Sequence, residues 1–349
     1  MKIASVGSAF PPHYYDQETL LEAFKRLWAD RVFHLERLEA LHRNVLVGGR
    51  HLAVPIEEYA GLDAWGKSND TWIRVAVEVG ERAVRDGLAR AGFTAADVDA
   101  LYFVSTTGIA TPSIDALLVN RLGLPSRVKR VPIFGLGCAA GAAGMARAAD
   151  YLRAYPEEVA VLLSVELCSL TLQPQDFSIP NLIASGLFGD GAAAAVLVGE
   201  TRAASGPRVV ASRSIFYPDS EGIMGWAISE RGFQVVLSAE LPDLVRRQVG
   251  DDVDRFLSDH GLTRGEIASW VCHPGGPKIL EAMQEALDLD GSALELTWRT
   301  LQERGNLSSA SVLLVLQETM ERARPAAGSY GMMMAMGPGF CSELLLLLW

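Results

Sequence analysis

Short, almost wholly apolar runs alternate along the chain with longer stretches in which apolar residues recur every three or four positions. The apolar runs predict strands buried on both faces, because a strand with one solvated face alternates polar and apolar residues. In the first half they are KIASVGSAF, ALYFVSTT, RVPIFGL, VAVLLSVEL and AAAAVLVG, and in the second half RVVASRSIF, GFQVVLS, SWVCHP, GSYGMMMAMG and CSELLLLLW.

The periodic stretches predict helices over residues 69–92, 138–155, 241–261 and 277–288. Strands that alternate with helices indicate an α/β fold. The polar segment TRAASGP predicts a seam between a half of residues 1–203 and a half of residues 204–349. The charged stretch from about residue 15 to residue 60 is expected to be helical and to decorate the first half.

Composition narrows the class of protein. Of the 349 residues, 49% are hydrophobic and 21% charged, which predicts a large core and no extended disorder. The net charge of −11 disfavours a nucleic-acid binder. The four cysteines are scattered without zinc-type or disulfide-framework spacing. The N-terminus reads as a strand and loop, not a signal peptide, and no run reaches the roughly 18 apolar residues of a membrane span. We therefore expect a reduced, cytoplasmic protein without a transmembrane segment.

The stretch RVPIFGLGCAAGAAG predicts a strand, a tight glycine turn and a helix that begins at Cys138. A thiol at a helix N-terminus is favoured as a thiolate by the dipole and the free N–H groups, so Cys138 is a candidate nucleophile. Two alternatives stay open on this stretch alone. Cys138 could be a small core residue. The glycines could also form a dinucleotide-binding turn, although the third one, Gly141, comes one place late and the next strand ends in Glu166.

A cysteine nucleophile needs a base and a group that stabilises the oxyanion. His273 ends an apolar strand in HPGGP, at the kind of strand tip where α/β active sites collect. Asn306, in GNLSSAS, precedes an apolar helix, where a capping role competes with a catalytic one. The papain-type cysteine signature is missing. The other histidines lie in polar or helical surroundings and are expected to be solvated: His13, His34, His42, His51 and His260.

The motifs GLGCAAGAAG, LFGDGAAAA, HPGGPKIL, GNLSSAS and MGPGF occur in this order. Together they resemble the type III polyketide synthases, the chalcone synthase-like branch of the thiolase-fold condensing enzymes, over essentially the whole chain. The resemblance implies a five-layered αβαβα fold of two similar halves and a homodimer. It implies that a starter acyl-CoA acylates Cys138 and that the enolate from decarboxylated malonyl-CoA attacks this thioester. His273 and Asn306 would stabilise the oxyanion, with coenzyme A thioesters as substrates and no metal or redox cofactor.

The same resemblance implies a set of cavity residues. Phe188 matches the gatekeeping aromatic between the coenzyme A tunnel and the cavity. Trp226 stands where the plant enzymes have glycine, and Val235 where they have a second gatekeeping aromatic. The other positions that resemble cavity-lining ones are Thr106, Thr111, Cys168, Thr171, Ser308 and Met336. Ordinary core packing is the alternative for each of these side chains.

Coenzyme A contacts are expected at Arg50, Lys278 and Gly275, and a contribution from Arg43 is considered; a solvated surface charge is the alternative for the cations. Stretches such as VELCSLT and YPDSEGIMGW resemble bacterial and mycobacterial members of the family that use long fatty acyl starters. They predict a medium- or long-chain acyl-CoA starter, extended two or three times by malonyl units to an alkylpyrone or alkylresorcinol. The alternatives are a carrier-protein-dependent ketoacyl synthase and a non-catalytic acyl- or CoA-binding protein on the same fold.

Overall fold

A computed structural model describes residues 1–28 and 35–349, so the prediction made for His34 lies outside the described residues. The helices are α1 (Gln17–Trp28), α2 (Leu35–Asn44), α3 (Trp65–Ala91), α4 (Ile114–Leu122), α5 (Ala140–Ala154), α6 (Ile179–Leu187), α7 (Leu241–Ser258), α8 (Pro277–Leu287), α9 (Glu295–Arg304) and α10 (Ser309–Arg322). Within the described ranges, no helix is both long enough and apolar enough to cross a membrane.

The strands are β1 (Lys2–Ala9), β2 (His13–Asp16), β3 (Gly49–Leu52), β4 (Ala100–Val104), β5 (Lys129–Ile133), β6 (Val159–Leu167), β7 (Asp190–Val198), β8 (Arg208–Phe216), β9 (Met224–Ser229), β10 (Gly232–Leu237), β11 (Ile267–Cys272), β12 (Tyr330–Gly337) and β13 (Cys341–Leu348). Nine of them form one mixed sheet in the order β11-β12-β13-β8-β1-β7-β6-β4-β5. Strands from the second part of the chain form one half of the strand order and strands from the first part form the other half, and the two halves meet where β1 pairs with β8.

Alternating side chains of the sheet pack into separate helical layers. Leu101 and Leu163 face α3 and α4, whereas their neighbours Tyr102 and Leu162 face α5 and α10. In the second half, β11, β12 and β13 likewise pack one face on α5 and α10 and the other on α7 and α8. The two halves of the nine-stranded sheet therefore form two separate layers with α5 and α10 between them. From one side of the molecule to the other, the five layers are α3/α4, first half of the sheet, α5/α10, second half of the sheet, and α7/α8, which confirms the predicted thiolase-like fold.

The central layer is possible because residues 140–144, at the start of α5, are all alanine or glycine and carry almost no side-chain bulk. A Cβ at Gly141 would lie 2.2 Å from the carbonyl oxygen of Ser309, and a Cβ at Gly144 would lie 2.5 Å from Leu162 Cδ1. Only glycine allows backbones to approach this closely. As a result, the start of α5, which follows Cys138, lies against the start of α10, which follows Ser308.

The predicted strands and helices agree with the structure to within a few residues at most ends, whereas the prediction for the surroundings of His42 is wrong. His42, expected to be solvated, is 1% exposed. Its Nε2 lies 3.0 Å from Ser185 Oγ, because α2 packs against α6. Burial, followed by the nearby charge of Arg50, lowers the pKa of His42 to about 3, so this imidazole is neutral.

Candidate active site

Cys138 lies in a single 3₁₀ turn, Gly137–Ala139, between β5 and α5. The turn needs glycine at two positions, since Gly135 has φ of 96° and Gly137 has φ of 49°. A Cβ at Gly137 would also come within 2.6 Å of the Pro338 ring. The predicted strand, tight turn and helix are confirmed, with α5 itself beginning two residues after the cysteine.

The Cys138 side chain is 8% exposed and contacts the loop before α10. Its Sγ donates to Ser308 Oγ at 3.6 Å. The side chains of Ser308 and Asn306 both lower the pKa of the thiol. The structure thus places Cys138 close to Asn306 and Ser308, which follow it by 168 and 170 positions in the sequence. The predicted nucleophile and the predicted oxyanion-stabilising group need to be close in this way.

Desolvation nevertheless dominates the protonation of Cys138. Burial raises the pKa of Cys138 to about 12, the hydrogen bond with Ser308 opposes this rise, and the charge of Glu166 adds to it. The helix start therefore does not offset the desolvation of this thiol. Attack by sulfur then requires a base that takes the proton.

His273 is the residue that the sequence predicts for this role. It follows β11, its peptide N–H donates to Met334 O at 3.0 Å, and its side chain is buried. Among the described residues, neither ring nitrogen has a hydrogen-bond partner. Burial lowers the pKa of His273 to about 3, so the imidazole is neutral and carries a free lone pair. A buried imidazole with both nitrogens free is costly unless a substrate or a transferred proton uses them.

The Asn306 carboxamide is held on both sides. Its Oδ1 accepts from Ser308 N–H at 2.8 Å, and its Nδ2 donates to Gly275 O at 3.3 Å. Gly275 N–H in turn donates to His273 O at 2.9 Å, which ties the histidine turn to the asparagine loop. Ser308 has φ of 44°, a strained conformation that occurs at functional sites when the surroundings enforce it.

The peptide groups of Asn306 also join the turn after α6. Asn306 N–H donates to Leu187 O at 2.9 Å, and Gly189 N–H donates to Asn306 O at 3.0 Å. Phe188 lies between these two bonds and forms a parallel bridge with Asn306. The predicted gatekeeping aromatic is thereby fixed beside the predicted oxyanion-stabilising amide.

Glu166 is a component of the site that sequence reasoning used only for the dinucleotide alternative. It is fully buried and accepts from Thr106 N–H at 3.1 Å and Thr107 Oγ1 at 2.9 Å, and also from Ser105 and Ser309. Burial raises its pKa, and these donors oppose the rise. A carboxylate enclosed in this way is not available to a ribose. The sequence does carry a signal for a buried carboxylate at this position, since Glu166 is the one charged residue in the apolar run VAVLLSVEL.

A cavity of about 220 Å³ adjoins the Cys138 turn. Its wall includes Thr106, Phe134, Met224, Trp226, Phe233 and Pro338. The Trp226 ring centroid lies 6.4 Å from that of Phe188 and 6.1 Å from that of Phe233. Trp226 therefore narrows the space beside the gatekeeping phenylalanine. Phe134 and Phe233 were not predicted, since aromatic residues in strands are ordinary core residues.

The other predicted cavity residues divide into two groups. Val235 pairs with Trp226 across the β9–β10 hairpin, Cys168 and Thr171 are buried in the turn after β6, and Met336 is buried in β12. Thr171 Oγ1 donates to Cys168 O at 2.7 Å, which is a local structural bond. Thr111 is exposed on the loop before α4. None of these five residues belongs to the wall of the cavity, which of the predicted positions includes Thr106 and Trp226.

The predicted coenzyme A contacts also separate. Arg50 is 1% exposed and its guanidinium donates to Gly186 O at 2.7 Å, to Ser185 O and to Gln17. The predicted phosphate contact of Arg50 is therefore not supported, because the side chain is buried and its Nη1 and Nη2 atoms donate to internal oxygen atoms. Lys278 is exposed in the first turn of α8, and Gly275 already accepts from Asn306. A role of either residue in binding coenzyme A stays a prediction.

Comparisons with known proteins agree with this geometry. The family model "Chalcone and stilbene synthases, N-terminal domain" matches residues 1–201, and the corresponding "C-terminal domain" matches residues 208–348. The chain is 50% identical to 1,3,6,8-tetrahydroxynaphthalene synthase of Streptomyces peucetius subsp. caesius, over 99% of this chain and 93% of that protein. It is 37% identical to a putative chalcone synthase of Bacillus subtilis (strain 168), over 99% and 98%.

A solved structure shows the same architecture. The crystal structure of 1,3,6,8-tetrahydroxynaphthalene synthase from Streptomyces coelicolor A3(2), a bacterial type III polyketide synthase, superimposes with a TM-score of 0.95. The two chains are 32% identical, and the match covers 100% of this chain and 99% of the other.

Replacing Ser308 by alanine should move the alkylation of Cys138 to higher pH. The Ser308 hydroxyl lowers the pKa of the thiol, so without it the thiolate forms only at higher pH. Because iodoacetamide reacts with the thiolate, the alkylation rate at a given pH should fall. Peptide mass spectrometry after timed exposure, repeated at a series of pH values, measures the shift for the peptide that contains Cys138.

Ser258→Ala is the matched control, since Ser258 is exposed at the end of α7 and its variant should follow the wild-type curve. A Ser308→Ala curve that overlies the wild-type curve, or that moves to lower pH, would contradict the assigned hydrogen bond.

Proposed function

This chain belongs to the chalcone and stilbene synthase family, the type III polyketide synthases, and from that premise we propose that malonyl-CoA is both its starter and its extender. The enzyme is an acyltransferase. We propose that its product is a polyhydroxylated naphthalene, as the names of two relatives imply for those proteins. Such a ten-carbon ring system with oxygen at positions 1, 3, 6 and 8 corresponds to five two-carbon units, each of which malonyl-CoA supplies after it loses CO₂.

The proposed loading step uses Cys138 and His273. As the thiol attacks the starter thioester, its proton passes to the free imidazole nitrogen of His273. The bond between the acyl carbon and Cys138 Sγ forms, the bond to the coenzyme A sulfur breaks, and the proton returns to the leaving thiolate. The neutral states of Cys138 and His273 in this structure support this order of events.

The proposed extension step uses His273 and Asn306 together. Malonyl-CoA loses CO₂, and the electron pair moves onto its thioester oxygen to give an enolate. Two preorganised donors in a dry site stabilise such an oxygen far better than water does. The enolate carbon then attacks the acyl group on Cys138, and the thiolate leaves. These steps take coenzyme A thioesters as substrates and use no metal or redox cofactor. We also propose that the protein is cytoplasmic, where cysteines stay reduced, and the four free cysteines support this location.

Trp226 is the observation that favours a small starter over a fatty one. Trp226, where the plant enzymes resembled by this chain have glycine, fills the space next to Phe188. A long alkyl starter would need the space that Trp226 fills. A starter derived from malonyl-CoA is short and does not need it. The fatty-acyl alkylpyrone or alkylresorcinol route is therefore the second candidate, supported by the sequence stretches named above.

Product analysis should show an aromatic product with malonyl-CoA as the only substrate. Uniformly labelled malonyl-CoA should place label at every product carbon, and lauroyl-CoA should add no product in the wild type. In Trp226→Gly the enlarged cavity should admit lauroyl-CoA and give a lauroyl-derived product, since pocket size discriminates between substrates by about tenfold or more. Liquid chromatography with mass spectrometry measures both products.

The control is Ile228→Ala, because Ile228 also borders the cavity but is 52% exposed at its rim. This variant should keep the wild-type preference. A wild-type enzyme that forms product only when lauroyl-CoA is added would contradict the malonyl starter and favour the fatty-acyl route.

We also propose that the chain forms a homodimer through the β5 edge of the sheet. Among the described residues, β5 pairs with β4 alone, which leaves its other edge open. The adjacent Phe134 is 53% exposed. Open sheet edges and exposed aromatic residues are usually covered, since both otherwise favour aggregation.

Multi-angle light scattering should therefore give twice the mass of one chain. Phe134→Glu should move the distribution toward the single-chain mass, because a charge at a closed interface is costly. A single-chain mass for the wild type at micromolar concentration would overturn the proposed dimer.

A further inference from the structure

Arg50 is a buried cation whose contacts all lie inside the protein. Its Nη1 donates to Gly186 O at 2.7 Å and to Gln17 Oε1, and its Nη2 donates to Ser185 O. Burial lowers the pKa of Arg50 to about 10, and the charge of Asp190 opposes this change, so the guanidinium is charged at neutral pH. Among the described residues its Nε has no hydrogen-bond partner, so the contacts of Nη1 and Nη2 are the ones that compensate for the burial of this charge.

The guanidinium satisfies the end of α6. Ser185 and Gly186 belong to the last turn of this helix, whose carbonyl groups have no partner within the helix itself. Gln17 Nε2 supports the same end, since it donates to Gly186 O at 3.0 Å. The planar fork of arginine reaches two carbonyl oxygens at once, which a lysine ammonium on a single stem does not.

The aliphatic part of Arg50 lies directly behind the catalytic loop. A Cβ at Gly189 would be 3.1 Å from Arg50 Cβ, and a Cβ at Gly305 would be 3.6 Å from Arg50 Cδ. Gly189 follows Phe188, and Gly305 precedes Asn306. The stem of Arg50 therefore lies next to both backbone segments that the hydrogen bonds between Asn306, Leu187 and Gly189 join into a pair.

We propose that Arg50 is a positioning residue of this active site, which fixes the paired segments 185–189 and 305–306 from behind and thereby sets the Asn306 carboxamide against Cys138. The inference rests on the proposed role of Asn306 in stabilising the enolate oxygen. It does not depend on which starter the enzyme uses. A displacement of about 1 Å at such a donor lowers the rate of reaction by up to about 100-fold.

Arg50→Lys keeps the positive charge and most of the aliphatic stem but loses the two-carbonyl contact. The expected result is a fall of about 10- to 100-fold in kcat for CO₂ release from carboxyl-labelled malonyl-CoA. The KM for malonyl-CoA should change little, because Arg50 does not reach the substrate. The assay uses whichever starter the wild type accepts, so a wrong product assignment and a wrong role for Arg50 give different results.

Gln17→Leu provides a second variant in case Arg50→Lys does not fold. It removes one acceptor of Arg50 and one donor to Gly186, and a smaller fall in kcat is expected. Arg246→Lys is the matched control, since this arginine pairs with Glu285 and Asp243 at the surface of α7 and should leave kcat unchanged. Thermal unfolding of each variant confirms that the fold is kept.

A double-mutant cycle with Asn306→Ala separates positioning from general stabilisation. If Arg50 acts through Asn306, Arg50→Lys lowers kcat in the wild-type background but has no further effect when Asn306 is already alanine. Full multiplication of the two effects overturns the proposal. Folded Arg50→Lys and Gln17→Leu variants with the kcat of the wild type overturn it as well.

Discussion

The close approach of α5 and α10 in the middle layer is the constraint on which the rest of the site depends. Gly141 leaves room for the carbonyl of Ser309, so the two helix starts lie in contact between the sheet faces. This contact places Cys138 beside Ser308 and Asn306, although they come from different halves of the chain. A larger residue at Gly141 would force the backbones apart and move Cys138 away from Ser308 and Asn306.

Burial then decides the chemistry at this contact. It raises the pKa of Cys138 and lowers the pKa of His273, so both groups are neutral in this structure. In the proposed loading step, the proton therefore moves from the sulfur of Cys138 to the imidazole of His273 only when a thioester arrives. The same dry surroundings protect an enolate from protonation and an acylated cysteine from hydrolysis.

Much of the architecture could be predicted because apolar runs and glycine turns are local signals. The strand RVPIFGL, the turn at Gly135 and Gly137 and the apolar strand that ends at His273 all follow from the sequence pattern. The burial of Arg50 and His42 could not be predicted, because it depends on the packing of α1, α2 and β3 against α6, which lies more than 100 residues away. Likewise, the protonation of Cys138 could not be derived from its helix-start position, since desolvation outweighs the dipole there.

The most direct test of the central claim, that Cys138 carries the acyl chain with His273 as the base, is quenched-flow mass spectrometry of the acylated enzyme. After brief incubation with a starter CoA that the wild type accepts, the adduct should appear on the peptide that contains Cys138. It should be absent in Cys138→Ala and should form about 100-fold or more slowly in His273→Ala, which is the usual contribution of a general base. An adduct on another residue, or one that forms at the wild-type rate in His273→Ala, would contradict the account.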